Sequence, residues 1–198
     1  HWISQSEKRG EARTNYMKAE DFKKIAEMGF DHVRLPVDEM HLWDENGVRN
    51  DTAFQLLHFG VEQCLQNNLR CIVDLHVLRS HHFNAEHGDG EGANRLWEDE
   101  IAQQDFIKFW KELSSELKQY PNGMVAYEPM NEAVADDHDD WNKLIGWVIS
   151  EIRKLEPERT IIMGSNKWQQ PWAFPFLKVP EGDTNIILSF HTYSPFPF

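Results

Sequence analysis

An amide and a carboxylate stand side by side at Asn131-Glu132, a few residues after the apolar run Met124-Val125-Ala126-Tyr127. A carboxyl group at the tip of a buried strand is partly desolvated. That favours its protonated form and suits it to general acid chemistry. Three other apolar runs carry polar groups at or near their ends. Arg34 lies within HVRLPV (32–37), His76 ends RCIVDLH (70–76), and His191 and Tyr193 end NIILSFHTY (185–193). An arginine inside an apolar strand needs a buried acceptor. Taken singly, Glu132 reads as a solvated strand-end carboxylate and His76 as a satisfied core histidine. Polar residues at four of five strand ends form a different pattern, because the variable loops of parallel α/β folds converge at the C-terminal ends of their strands.

The intervening segments are spaced to hold those ends in place. Lys18–Met28 repeats Phe22, Ile25 and Ala26 at helical spacing, with Gly29 as its stop. Asp51–Asn67 carries Phe54, Leu57, Val61, Cys64 and Leu65 on one face. A longer helix is expected from about Trp97 to Tyr120, and another over Trp141–Leu155, ended by Pro157. The fourth apolar run is TIIMGS, residues 160–165. Five apolar runs with helices between them predict a parallel sheet buried on both faces, with right-handed crossovers. An open doubly wound sheet and a (β/α)8 barrel both satisfy this order. Neither G-x-G-x-x-G nor G-x-x-x-x-G-K-[ST] is present, so a nucleotide-binding sheet lacks its phosphate cradle.

Composition narrows the partners. A chain of 198 residues with 27% charged and 40% hydrophobic content can build one sizeable core. Its net charge of −13 opposes nucleic-acid binding and suits a neutral substrate. No apolar run is long enough to span a membrane. Cys64 and Cys71 fall in apolar segments and read as small core residues. His76, His81, His82 and His87 match no zinc spacing, so no metal and no cofactor is expected. The acidic group Asp136, Asp137, Asp139 and Asp140 reads as the approach to a helix N-terminus. Trp97, Trp110, Trp141 and Trp147 fall on helical faces and read as core. The loop 79–95 is the expected mobile segment.

VRLPV, DLH, the NE of PMNEA and HTY, supported by SNKW, together resemble glycoside hydrolase family five. These are (β/α)8 enzymes that cleave mostly β-linked glucans and mannans with retention. The resemblance implies a partial barrel with residues 1–198 as a single incomplete domain. HWISQ would be the tail of strand one, and the five runs strands two to six. It implies Glu132 as general acid and base, and Asn131 as the partner of the sugar 2-hydroxyl. His191 and Tyr193 would tune the carboxyl groups. Arg34 and His76 would form the floor, with Arg34 helping to keep the nucleophile ionised. Trp168 would be a sugar-stacking surface and Trp2 a weaker one. The implied activity is endo-hydrolysis of β-1,4-glucan, with β-mannan hydrolysis or inactive sugar binding as alternatives. Secretion is implied because polymeric glycans lie outside cells.

A retaining mechanism needs a second carboxylate roughly 5–5.5 Å from the first. The resemblance places it on strand seven, beyond Phe198. Glu128 lies about 13 Å before Glu132 along an extended strand, and Asp74 reads as a buried structural carboxylate, so neither is expected to serve. An arc without strands seven and eight would expose two sheet edges and an apolar wall, which favours self-association or a longer polypeptide.

Overall fold

The computed structural model describes residues 3–4, 10–84 and 94–193. Five strands form one sheet: β1 (His32–Asp38), β2 (Arg70–Val77), β3 (Val125–Glu128), β4 (Ile161–Gly164) and β5 (Ile186–Ser189). All neighbours pair in parallel, in the order β1-β2-β3-β4-β5. A doubly wound sheet reverses its strand order at a switch point. This sheet never reverses, so its architecture is that of consecutive βα units along the wall of a barrel. Ile3 makes a parallel bridge to Val37, and its carbonyl accepts the Asp38 N–H at 3.1 Å. Residue 3 therefore sits where the tail of a preceding strand was expected.

The helices are α1 (Gly10–Thr14), α2 (Ala19–Glu27), α3 (Glu39–Leu42), α4 (Asp51–Gln66), α5 (Glu100–Leu117) and α6 (His138–Leu155). The long ones begin at side-chain caps. Asn50 accepts from Ala53 N–H, Asp99 from Ile101 and Ala102 N–H, and Asp137 from Asp139 N–H. These bonds satisfy amides that have no partner within the helix. Asp137 thus gives the acidic group its expected place at a helix start. The helix expected from Trp97 instead begins at Glu100, after a 3-10 turn over Arg95–Trp97. Asp99 decides the boundary, because its carboxylate caps the first turn.

Period-two burial assigns the two faces of the sheet. On β2, Cys71, Val73, Leu75 and Val77 are buried against the helices, while Ile72, Asp74 and His76 point the other way. Cys64 and Cys71 are both fully buried and free, as expected of small core residues. Trp110 and Trp141 are core residues with a second role. Their indole N–H groups donate to the carbonyls of Pro129 (2.9 Å) and Gly164 (3.0 Å), tying α5 and α6 to the C-terminal ends of β3 and β4. Trp147, expected in the core, is 40% exposed and carries Lys143 over its ring. Its helical position faces away from the sheet. The inner sheet face is less buried than the uniformly apolar runs implied. On β5, Ile187 is exposed on that face, and Leu188, the register partner of core residue Met163, is exposed on the opposite one.

At the opposite end of the strands from Asn131 and Glu132, Arg159 is completely buried. It pairs with Glu156 and donates to the carbonyls of Val125 (2.8 Å) and Tyr120 (2.9 Å). Glu156 also accepts from Ser114 and Tyr127 hydroxyls, each at 2.7 Å. A buried ion pair persists only when its remaining lone pairs and protons are satisfied in this way.

Two groups make the fold sensitive to acid. The hydrogen bonds from Arg49, followed by those from His58, hold the Glu116 carboxyl down at about 2. Burial, with a smaller contribution from nearby His82, drives the His81 imidazole down to about 3. Both folded-state values lie below the unfolded ones of 4.5 and 6.5, so the unfolded chain binds protons first as pH falls. Stability is therefore complete above about pH 6.5 and lost progressively toward about pH 2–3. Denaturant unfolding across this range should show that decline, and Glu116→Gln should flatten its lower part, below about pH 4.5.

Candidate active site

β3 ends at Glu128, earlier than the sequence suggested, and Asn131 and Glu132 lie in the connection that follows. The acid is therefore held by a network of contacts rather than by a strand tip. Asn131 N–H donates weakly to the Leu75 carbonyl at 3.4 Å, which keeps the connection beside β2. Glu132 has a left-handed backbone, φ 49°, and is only 7% exposed. Its Oε1 lies 2.7 Å from Nδ1 of His191, which follows β5. Two residues far apart in sequence, in the segments that follow different strands, thus meet as a carboxyl–imidazole pair.

Below this pair lies a charged floor. Arg34 on β1 donates through Nε to Glu128 Oε2 (2.6 Å) and through Nη2 to Asn131 Oδ1 (2.9 Å). The same Nη2 is 2.9 Å from Asp74 Oδ2, which also contacts His76 Nδ1 at 2.6 Å. The β-ladder explains the convergence. Asp74 and Glu128 are direct register partners, and Pro36 pairs with Asp74 two residues beyond Arg34. All three side chains therefore rise on the inner face within one hydrogen-bonded band. Burial pushes the Glu128 carboxyl up and the Asp74 charge adds to it, while Arg34 and Gln169 oppose the shift. Burial alone would disfavour charge on Arg34, but Asp74, Glu128 and Glu132 outweigh it and hold the guanidinium ionised.

Arg34 therefore finds its buried acceptors in Glu128 and Asp74, two carboxylates the sequence reading set aside as nucleophile candidates. Asp74 is fully buried, as expected, and its Oδ1 has no hydrogen-bond partner among the described residues. Glu128 sits in the floor because the chain turns after it, so the extended-strand spacing to Glu132 does not apply. The period-two pattern of β2 and β3 was the available signal, since it puts Asp74, His76 and Glu128 on one face.

The segment after β4 closes the arrangement. Lys167, Trp168 and Gln169 have φ of 59°, 60° and 54°, three consecutive left-handed residues without a glycine among them. Such conformations cost about 1–2 kcal/mol per residue and persist only where the surroundings over-determine them. Asn166 supplies part of that constraint. Its side chain donates to the Ala135 carbonyl and accepts the Ala135 N–H, both at 2.9 Å. Trp168 is 45% exposed, its backbone N–H donates to the Ala133 carbonyl (3.1 Å) and its indole N–H to the Phe83 carbonyl (2.7 Å). It thus stands at the rim, fixed at one edge of its ring.

The remaining residues divide plainly. His76 packs edge-on against Phe83 and belongs to the floor. Tyr193 is 59% exposed, two residues beyond His191. Trp2 and His87 lie outside the described residues, as do residues 85–93 of the expected mobile loop. His81 is fully buried and accepts the Val134 N–H on Nε2 at 3.3 Å, so it supports the connection that carries Glu132.

The cellulase family model, glycosyl hydrolase family 5, matches residues 3–198. The chain belongs to this family. Cellodextrinase A of Ruminococcus flavefaciens is 29% identical over 198 residues, covering all of this chain and 57% of that protein. Endoglucanase C of Acetivibrio thermocellus is 30% identical over 202 residues, covering all of this chain and 56% of that protein. A solved hyperthermophilic endo-β-1,4-glucanase in complex with substrate superposes with a TM-score of 0.76 at 29% identity, over 91% of this chain and 54% of that one. This family-five chain thus spans about half the length of the curated relatives it matches. Its parallel five-stranded sheet with intervening helices is the corresponding part of their barrel.

Proposed function

We propose that this chain carries the acid–base half of an endo-acting β-1,4-glucan hydrolase working with retention. The observation that supports it is the pairing of Glu132 with His191 at 2.7 Å over a floor in which Arg34 reaches Asn131. Hydrolysis of an acetal requires a proton on the leaving oxygen and relief of the positive charge that develops at the anomeric carbon. Glu132 delivers the proton to the glycosidic oxygen, and its own carboxylate then takes a proton from the water that releases the product. His191 orients that carboxyl. Arg34 fixes the Asn131 carbonyl oxygen, which leaves the Asn131 amide N–H free to turn toward a sugar hydroxyl. Trp168 offers its exposed ring face to a pyranose, and Tyr193 lies at the same strand end as His191.

The reading requires a nucleophilic carboxylate opposite Glu132. We expect it in the part of the family barrel outside residues 1–198, which on this reading form one section of a single barrel domain. Glu128 and Asp74 are committed to Arg34 and serve as supports of the floor. A polymeric β-glucan substrate also implies that the protein works outside the cell.

The protein at its full natural length should release reducing ends from carboxymethylcellulose at least tenfold faster than from galactomannan, with chain length falling early, as endo-cleavage requires. Faster attack on galactomannan would replace the glucan reading with a mannan one. Binding of cello-oligosaccharides without any cleavage would make the protein a sugar-binding module.

A further inference from the structure

One buried side chain connects the groups that would have to move together for proton transfer. Gln169 is 1% exposed. Its Oε1 accepts the Glu132 backbone N–H at 3.0 Å, and its Nε2 donates to Glu128 Oε1 at 3.3 Å. Its backbone carbonyl accepts the His191 N–H at 3.0 Å. Gln169 therefore touches the residue bearing the candidate acid, the backbone of the histidine that orients it, and a carboxylate of the floor. It does so from a left-handed backbone, φ 54°, at the end of the strained segment. Space for it is reserved by Gly164 on β4. A Cβ there would lie 2.2 Å from Gln169 Cγ, and its next nearest neighbours would also be Gln169 atoms, at 2.4 and 2.5 Å.

We propose that Gln169 is a positioning residue that sets the Glu132 carboxyl for proton donation, and that Gly164 is kept small to admit it. The inference rests on the reading of Glu132 as the proton donor. Gln169 holds the Glu132 backbone in its left-handed turn and His191 at the matching height, so that carboxyl and imidazole meet. Its second amide bond locks the side chain to Glu128, which Arg34 already holds. The primary amide is required because the site presents one donor, the Glu132 N–H, and one acceptor, the Glu128 carboxylate. A positioning role of this kind acts on protonation of the leaving group and leaves sugar binding largely alone.

The test compares two substrates in the protein at its full natural length. Cellotetraose has a poor leaving group that needs a proton. 2,4-Dinitrophenyl β-cellobioside has one that departs without it, so kcat/KM on it is insensitive to the acid. Gln169→Met keeps the volume and loses both amide bonds. It should lower kcat/KM at least tenfold on cellotetraose and less than threefold on the dinitrophenyl substrate. Gly164→Ala should show the same separation, and Gly164→Ala combined with Gln169→Ala should be no worse than Gln169→Ala alone, because the clash has been removed. Equal losses on both substrates would reduce Gln169 to a structural residue and overturn the proposal, as would a loss below twofold on both. Glu132→Gln serves as the reference. If it separates the substrates and Gln169→Met does not, the proposal alone fails. If Glu132→Gln does not separate them, Glu132 is not the donor, and the proposal falls with that reading.

Discussion

Glu132→Gln should lower kcat on cellotetraose by about 10²–10⁴-fold, the usual contribution of a positioned general acid and base, with the affinity for cello-oligosaccharides held within a few-fold. Glutamine keeps the shape of the side chain and a contact to His191 Nδ1, which lies 2.7 Å from the carboxyl oxygen it would replace. It cannot give up a proton to a departing sugar. Because glutamine matches the size of the nearly buried Glu132 side chain and the bond to Gln169 Oε1 uses the Glu132 backbone N–H, the variant should fold normally. Steady-state rates and a binding titration on the same preparation separate the lost chemistry from lost affinity. A loss of binding in parallel with rate would assign Glu132 to substrate capture instead.

The second large effect concerns Arg34. Arg34→Met should destabilise the fold by about 3–5 kcal/mol, because removing one partner of a buried ion pair leaves an uncompensated charge. Here two carboxylates would be stranded. Asp74 is completely buried, Glu128 is 2% exposed, and the two are register partners on adjacent strands. Glu128 already titrates above the ordinary carboxylate range through burial and the Asp74 charge. Without the guanidinium, two buried carboxyls side by side would favour uptake of a proton, so the loss should shrink as pH falls. Adding Asp74→Asn should recover part of the stability by removing one stranded charge. Arg34→Lys should recover little, because a point charge cannot fork to Glu128, Asp74 and Asn131 at once. Urea unfolding of the four proteins at two pH values measures all of this. A loss below about 1 kcal/mol for Arg34→Met, the level of an exposed ion pair, would show that the floor is solvated.

The parts legible in the sequence were those governed by short-range periodicity. The five strands and the long helices follow from apolar spacing, and the polar ends Arg34, His76, Asn131, Glu132 and His191 were found because each follows or interrupts an apolar run. The end of β3 was not legible. Val125 to Met130 reads as continuous strand, and the turn that lifts Glu132 over the floor depends on a hydrogen bond to Gln169, 37 residues away. Gln169 was invisible for a related reason. Lys167-Trp168-Gln169 contains no glycine or asparagine to signal a left-handed backbone, and only tertiary contacts hold it there. Glu128 was measured along a straight strand to Glu132 and Asp74 was read as a buried structural carboxylate, whereas the register of β1, β2 and β3 brings both to Arg34. Trp147 was misplaced because helical spacing alone does not show which side of α6 meets the sheet.

The most direct measurement is azide rescue of Glu132→Ala with 2,4-dinitrophenyl β-cellobioside in the protein at its full natural length. This leaving group needs no proton, so a glycosyl-enzyme forms and then waits for a base that is no longer present. Azide needs no base. It should attack the anomeric carbon, expel the enzyme carboxylate and accelerate turnover at least tenfold, with β-cellobiosyl azide as the product. No acceleration by azide, or an α-configured azide product, would contradict Glu132 as the acid–base of a retaining glycosidase.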